Sequence, residues 1–203
     1  MGFLDKIIAF FKRKDNMLLW QQFAQVKQGE LKSSSGDLFV AYRYADFKFQ
    51  IGAFTHYVTS GTNTYEYKYL IGIVLVTNPA HFELAISPDD LFAKMGKLFK
   101  NDEITIGNKS FDSKFLIKSN HKLKAITLLN HKALREIITA ANPTLLEITK
   151  EQGLFAEHHP PEGQHMLYYA KQEKCKAINQ LHLIHLLLAT FIDNLKENGV
   201  IQN

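Results

Sequence analysis

Tyr65-Glu66-Tyr67-Lys68-Tyr69-Leu70-Ile71-Gly72-Ile73-Val74-Leu75-Val76-Thr77 is the stretch on which the fold turns. In its first half tyrosines alternate with charged residues, the period-two pattern of a strand with one face covered. From Leu70 onward both parities are apolar, so this strand belongs in the middle of a sheet, covered on both sides. Turn signals bound it: Ser60-Gly61-Thr62-Asn63 before, and Asn78-Pro79 after, as positions one and two of a type I turn. Before it, Leu38 to Tyr44 and Phe47 to Val58 alternate, with Phe47, Phe49 and Ile51 on one face; Gly52 then interrupts and predicts a bulge. After it, His81 to Ser87 returns with Phe82, Leu84 and Ile86 together. The simplest construction is an antiparallel meander.

Further along, Ser87-Pro88-Asp89-Asp90 is a helix start, with a serine cap, proline at the first helical position and acids in the first turn. Leu91, Phe92, Met95, Leu98 and Phe99 follow at helical spacing, with Lys94, Lys97 and Lys100 on or near the other face. Residues 102–118 read as a hairpin, two short alternating runs around Gly107-Asn108. Helices are expected from Ser119 or Asn120, carrying Leu123, Ile126 and Leu129, and after Asn130, carrying Leu134, Ile137, Ile138 and Ala141 until Asn142-Pro143 stops it. Thr144 to Lys150, Leu154 to His158 and Gln164 to Lys171 read as strands. The longest helix runs from Glu173 to Asn198, closed by Gly199. At the other end, residues 1–16 form an amphipathic stripe ending in Lys12-Arg13-Lys14, and Met17 to Ala24 begin a second helix in which Trp20 is a packing anchor. Ser33-Ser34-Ser35-Gly36 is a connector. The expected class is therefore α+β: an antiparallel meander sheet covered by helices, with a long C-terminal helix and an N-terminal helical arm. The arm takes residues 1–32 and one domain takes 37–203, with 37–100 and 101–203 as its alternative halves.

With 203 residues, 46% hydrophobic and 22% charged, the composition is that of a globular chain, not a disordered one. The single cysteine, Cys175, excludes an internal disulfide framework and favours a reducing compartment. No apolar run reaches the roughly 20 residues that cross a bilayer, and the N-terminal cations follow the apolar start instead of preceding it, unlike a signal peptide. A cytoplasmic location is expected, peripheral to the membrane if the N-terminal helix lies on a lipid surface.

The residues carry several candidate sites. Lys94 to Lys124 hold eight lysines against Asp102, Glu103 and Asp112, and Lys94, Lys97, Lys100, Lys114 and Lys118 could gather into one patch for an anionic partner; the competing reading is a solvated face. Glu157-His158-His159-Pro160-Pro161-Glu162-Gly163-Gln164-His165 is the densest cluster of metal-ligand types, with His158, His159, His165 and Glu162 as candidate ligands. It matches no standard zinc spacing, and an exposed polar turn is the competing reading. His182 and His185 lie three apart on the last helix, where a hydrogen-bonded core histidine competes with a paired ligand site. The tyrosine row could stack nucleobases, but only Lys68 interleaves it, so packing beneath a helix is expected and nucleic acid is disfavoured.

Trp20-Gln21-Gln22-Phe23-Ala24, an aromatic meander, Ile104-Thr105-Ile106-Gly107-Asn108 with Phe111-Asp112 and Phe115, a leucine helix, and Gly153-Leu154-Phe155 follow in an order that resembles an uncharacterised family of bacterial proteins. The resemblance covers most of the chain, and its most specific piece is the Ile-x-Ile-Gly-Asn-x-x-Phe-Asp-x-x-Phe pattern of residues 104–115. That is a framework pattern. The family has no assigned activity, so the resemblance implies a shared fold and no chemistry.

Nothing in the chain reads as a nucleophile elbow, a phosphate loop or a paired-carboxylate motif. The leading expectation is a non-catalytic binding or protein-interaction domain without a cofactor. The alternatives are a peripheral membrane protein using the N-terminal helix and the lysine face, and a metal-dependent enzyme centred on His158 to His165. A second copy of the chain, joined through the N- or C-terminal helix, is a further expected partner.

Overall fold

A computed structural model describes residues 17–34, 37–88, 103–154 and 159–202. The N-terminal segment 1–16, the helix expected after Ser87-Pro88 and residues 155–158 therefore lie outside the described residues. The described chain is α+β. Its strands are β1 (Glu30–Ser34), β2 (Asp37–Tyr44), β3 (Phe47–Ser60), β4 (Asn63–Val76), β5 (Leu84–Ser87), β6 (Glu103–Ile104), β7 (Leu116–Ser119), β8 (Leu145–Thr149) and β9 (His165–Lys171). They form one antiparallel sheet in the order β1-β2-β3-β4-β9-β8-β5-β7-β6. The helices are α1 (residues 17–27), α2 (Lys109–Asp112), α3 (Lys122–Leu129), α4 (Lys132–Ala141) and α5 (Ile178–Glu197). No described helix is long and apolar enough to cross a membrane.

The doubly apolar stretch is β4, flanked by β3 and β9 at the centre of the sheet. Its two parities serve two cores. Leu70, Val74 and Val76 join Phe49 and Ile51 of β3, Leu167 and Tyr169 of β9 and the apolar faces of α1, α3, α4 and α5. Tyr69, Ile71 and Ile73 pack on the opposite face with Leu145, Met166, Tyr168 and Ala170. Trp20 and Phe23 are fully buried in the helix-bearing core, where α1 is anchored beside β1 and β2. Ser33 and Ser34, expected as part of a connector, belong to β1, where they pair with Leu38 and Asp37 of β2.

The meander holds from β1 to β4 and then breaks, because β9 and β8 stand between β4 and β5. Gly52 introduces no bulge: the β2–β3 ladder runs unbroken with Phe39 opposite Gly52. Glycine is required there by closeness, since a Cβ would come 2.8 Å from Phe39 Cβ. The last three helices follow the expected periodicity with two shifts. In α3 the buried positions are Ala125, Leu128 and Leu129, while Leu123 is 72% exposed. Helix α5 begins at Ile178, five residues later than expected, where the Gln180 side chain accepts the backbone N–H groups of Lys176 and Ala177.

The expected hairpin over 102–118 is a different structure. Strands β6 and β7 do pair, Glu103 opposite Lys118 and Ile104 opposite Ile117, but the connection is a loop holding the single turn α2. Gly107 takes φ +79° at the loop's corner, and Asn108 caps α2, its Oδ1 accepting Phe111 N–H at 3.1 Å. Asp112 Oδ1 accepts Ile106 N–H at 3.0 Å, tying the helical turn back to the segment just after β6. Phe111 and Phe115, one helical turn apart, are both buried with ring centroids 5.0 Å apart. The Ile104 to Phe115 pattern is thus a capped corner.

The tyrosine row is also corrected. The β3–β4 ladder continues from Phe54–Tyr69 to Ser60–Asn63, past the last β2 contact at Ala53 and the last β9 contact at Leu70. Beyond the sheet it becomes a two-stranded ribbon. Only Tyr69 is buried; Tyr57, Tyr65 and Tyr67 are exposed on the ribbon and lie under no described helix.

Candidate functional site

The sheet face away from the described helices carries a groove of about 640 Å³, within the roughly 300–1,000 Å³ of small-ligand sites. Its position follows from register. The β2–β3 turn at Ala45-Asp46, with Ala45 at φ +49°, sets Tyr44 opposite Phe47 and therefore Arg43 opposite Lys48. Because Tyr42 and Phe49 enter the helix-bearing core, Arg43 and Lys48 project from the other face. Along that face Ala41 pairs with Gln50, Gln50 with Ile73, and Leu75 with Met166. The floor is thus Ala41, Ile73, Leu75 and Met166, with Lys32, Arg43, Lys48 and Gln50 at its rim.

The electrostatics are uneven. Lys32 is paired with Glu30 at 3.0 Å. Arg43 and Lys48 are both exposed and have no acidic partner among the described residues. Two like charges directly opposite on one sheet face repel each other and weaken the pairing. An anion placed between them would remove that repulsion, and the neighbouring apolar floor would lower the local dielectric and strengthen the attraction.

Of the metal candidates, His159 lines this groove and Glu162 is exposed in the turn before β9. His165 lies opposite Val76 and alternates with Met166, so it enters the helix-bearing side and is buried. His159 and His165 are not brought together, and His158 lies outside the described residues. Among the described residues no three histidine, cysteine, aspartate or glutamate side chains converge as a metal site.

Of the lysine patch, Lys94, Lys97 and Lys100 lie outside the described residues. Lys114 is exposed in the turn after α2, and Lys118 is on β7 opposite Glu103 and Ala85. The expected alternation of Lys114 and Lys118 along one strand is therefore not formed, because Lys114 sits in the turn and β7 begins only at Leu116.

His185 is a core histidine. Its Nδ1 is 2.9 Å from the Tyr42 hydroxyl, and its ring packs among Tyr42, Tyr44 and Phe49. Burial first, then Lys27 and His182, push its pKa down to about 4. His182 packs edge-on against Phe23. Cys175 is half-buried, and burial raises its thiol to about 11, which leaves little thiolate at neutral pH.

Arg43 and Lys48 were not singled out by composition or spacing. The signal that could have found them is the two-residue turn between Tyr44 and Phe47, which dictates their pairing. No family model matches the chain, and no curated protein matches it.

Proposed function

We propose that the protein is a non-catalytic binding domain, and that its ligand has an apolar body and an anionic group. The observation that carries this reading is the cross-strand pair Arg43–Lys48, unpartnered among the described residues and set at the rim of an apolar groove. The floor supplies contact area, and the two cations supply orientation, with Arg43 offering the planar donor fork that matches carboxylate or phosphate. Gln50 adds a neutral donor and acceptor beside them. The groove walls offer complementarity of shape and charge, and no bond-breaking step is assigned to them. The framework resemblance of residues 104–115 lies at the far end of the sheet and adds no ligand to this reading.

Anilinonaphthalene sulfonate, an apolar anion whose fluorescence rises on transfer from water, is a suitable first probe. The wild-type protein should bind it saturably, and Arg43→Gln with Lys48→Gln should weaken binding at least tenfold while leaving the melting temperature unchanged or higher. Equal binding by the double variant would remove the basic pair from the site and overturn the proposal.

A further inference from the structure

We propose that His165 and His81 form a site for an imidazole-preferring transition-metal ion such as zinc, separate from the groove. His165 opens β9 and is 4% exposed, yet neither of its ring nitrogens has a hydrogen-bond partner among the described residues. Buried polar atoms in folded proteins are overwhelmingly partnered, and an exception calls for a cause such as an ion. The second imidazole is at hand: the His81 and His165 rings have centroids 5.9 Å apart and planes inclined at 55°.

That separation can be tested against coordination geometry. With a Zn–N bond of about 2.0 Å and a ring nitrogen about 1.2 Å from its centroid, imidazoles sharing one ion have centroids about 5 Å apart in a tetrahedral arrangement and about 6.4 Å in a linear one. The observed distance falls between these limits.

The loop that presents His81 is held unusually firmly. His81 takes φ +47°, a left-handed conformation that a non-glycine residue keeps only when its surroundings impose it. Asn78, itself buried, imposes it: its side chain accepts Phe82 N–H at 3.1 Å and donates to Phe82 O at 2.8 Å, and its carbonyl accepts His81 N–H at 3.0 Å. From the other side Asn120 Nδ2 donates to His81 O at 2.7 Å. A strained residue fixed beside an unsatisfied buried imidazole has the form of a preorganised ligand pair.

The charges nearby are consistent with this. Burial first, then His81 and Lys150, hold the His165 pKa below its ordinary value. Lys150 is itself paired with Glu83 at 3.8 Å, which offsets its repulsion of a cation. With two protein ligands and water completing the shell, the site is labile and weaker than a four-ligand structural zinc site. The histidine expected to serve the 158–165 turn instead faces across to the loop after β4.

The test is calorimetric titration of the chelator-treated full chain with zinc chloride, together with imidazole nitrogen resonances. One equivalent should bind, shifting the His81 and His165 resonances. His81→Asn, chosen because asparagine tolerates the left-handed conformation, should weaken binding at least tenfold, as should His165→Gln, whereas His159→Ala should leave it unchanged. No binding by the wild-type protein, unchanged affinity in His81→Asn, or zinc shifts confined to other histidines would each overturn the proposal.

Discussion

Gly72 lies in the C-terminal half of β4, opposite Ile51 of β3 and Tyr169 of β9 and beneath α5. A Cβ added there would come 2.7 Å from Leu188 Cδ1 and 2.9 Å from Ile184 Cγ2. Carbon atoms in contact settle at about 3.5–4.0 Å, so Gly72→Ala must lift the helix or force both side chains off their rotamers. Overpacking of this kind costs about 1–3 kcal/mol, and the reduced freedom of the unfolded chain returns about 0.4–1 kcal/mol. The net expectation is a loss of about 1–2 kcal/mol, a melting shift of roughly 2–8 °C for a chain of this size. Leu188→Ala alone leaves a cavity and should cost about 2–5 kcal/mol. In the double variant the new methyl occupies part of that space, so the combined loss should fall short of the sum by about 1 kcal/mol or more. Guanidinium unfolding followed by Trp20, the single tryptophan and fully buried, reads all four corners of the cycle. A stable Gly72→Ala variant, or losses additive within about 0.5 kcal/mol, would refute the seating of α5 on β4.

Three further outcomes follow from local features. His185 has a folded-state pKa of about 4 against an ordinary 6.5, so its contribution to stability is complete above about pH 6.5 and is lost as pH falls toward 4; discounted for partial exposure, unfolding free energy should drop by about 1–2 kcal/mol over that window, with less slope in His185→Gln. His165 and His182 are shifted in the same direction and steepen the same loss. Asn108→Ala removes the α2 cap and should cost about 1 kcal/mol in chemical unfolding, while Asn108→Asp should be tolerated. Leu128→Ala should cost about 2–5 kcal/mol and Leu123→Ser less than about 0.5 kcal/mol, which would place the α3 contact face on Leu128.

Much of the fold was legible because its signals are periodic. The switch at Leu70 from one apolar parity to two placed β4 at the centre, and Leu134, Ile138 and Ala141 marked the buried face of α4. Where two periods coincide, the reading failed. Phe111 and Phe115 share a face in a strand and also, four residues apart, on a helix. The decision fell to hydrogen bonds from Asn108 and Asp112, side chains compatible with either reading. In α3 the lysines and leucines leave two plausible stripes, and the tertiary contact chose Leu128 over Leu123. Strand order was illegible beyond β4, since β9 and β8 enter beside it from more than 60 positions away in the chain. The ribbon misled because tyrosines alternating with charge read as a covered face, while its neighbours stop at Ala53 and Leu70. The groove was hidden for a related reason: Arg43 and Lys48 look like ordinary surface cations until register puts them side by side.

The basic-rimmed groove is tested most directly by methyl resonances of the full chain titrated with dodecyl phosphate and, separately, with dodecanol. The two faces of the sheet provide an internal control, since Ile73, Leu75 and Met166 belong to the groove while Ile148 and Leu167 belong to the helix-bearing core. Saturable shifts are expected at Ile73, Leu75 and Met166 with dodecyl phosphate, with at least tenfold weaker binding of dodecanol and the same weakening for the phosphate in the Arg43→Gln, Lys48→Gln variant. Shifts centred on Ile148 and Leu167, equal binding of the alcohol, or no saturable shift in the groove would contradict that expectation.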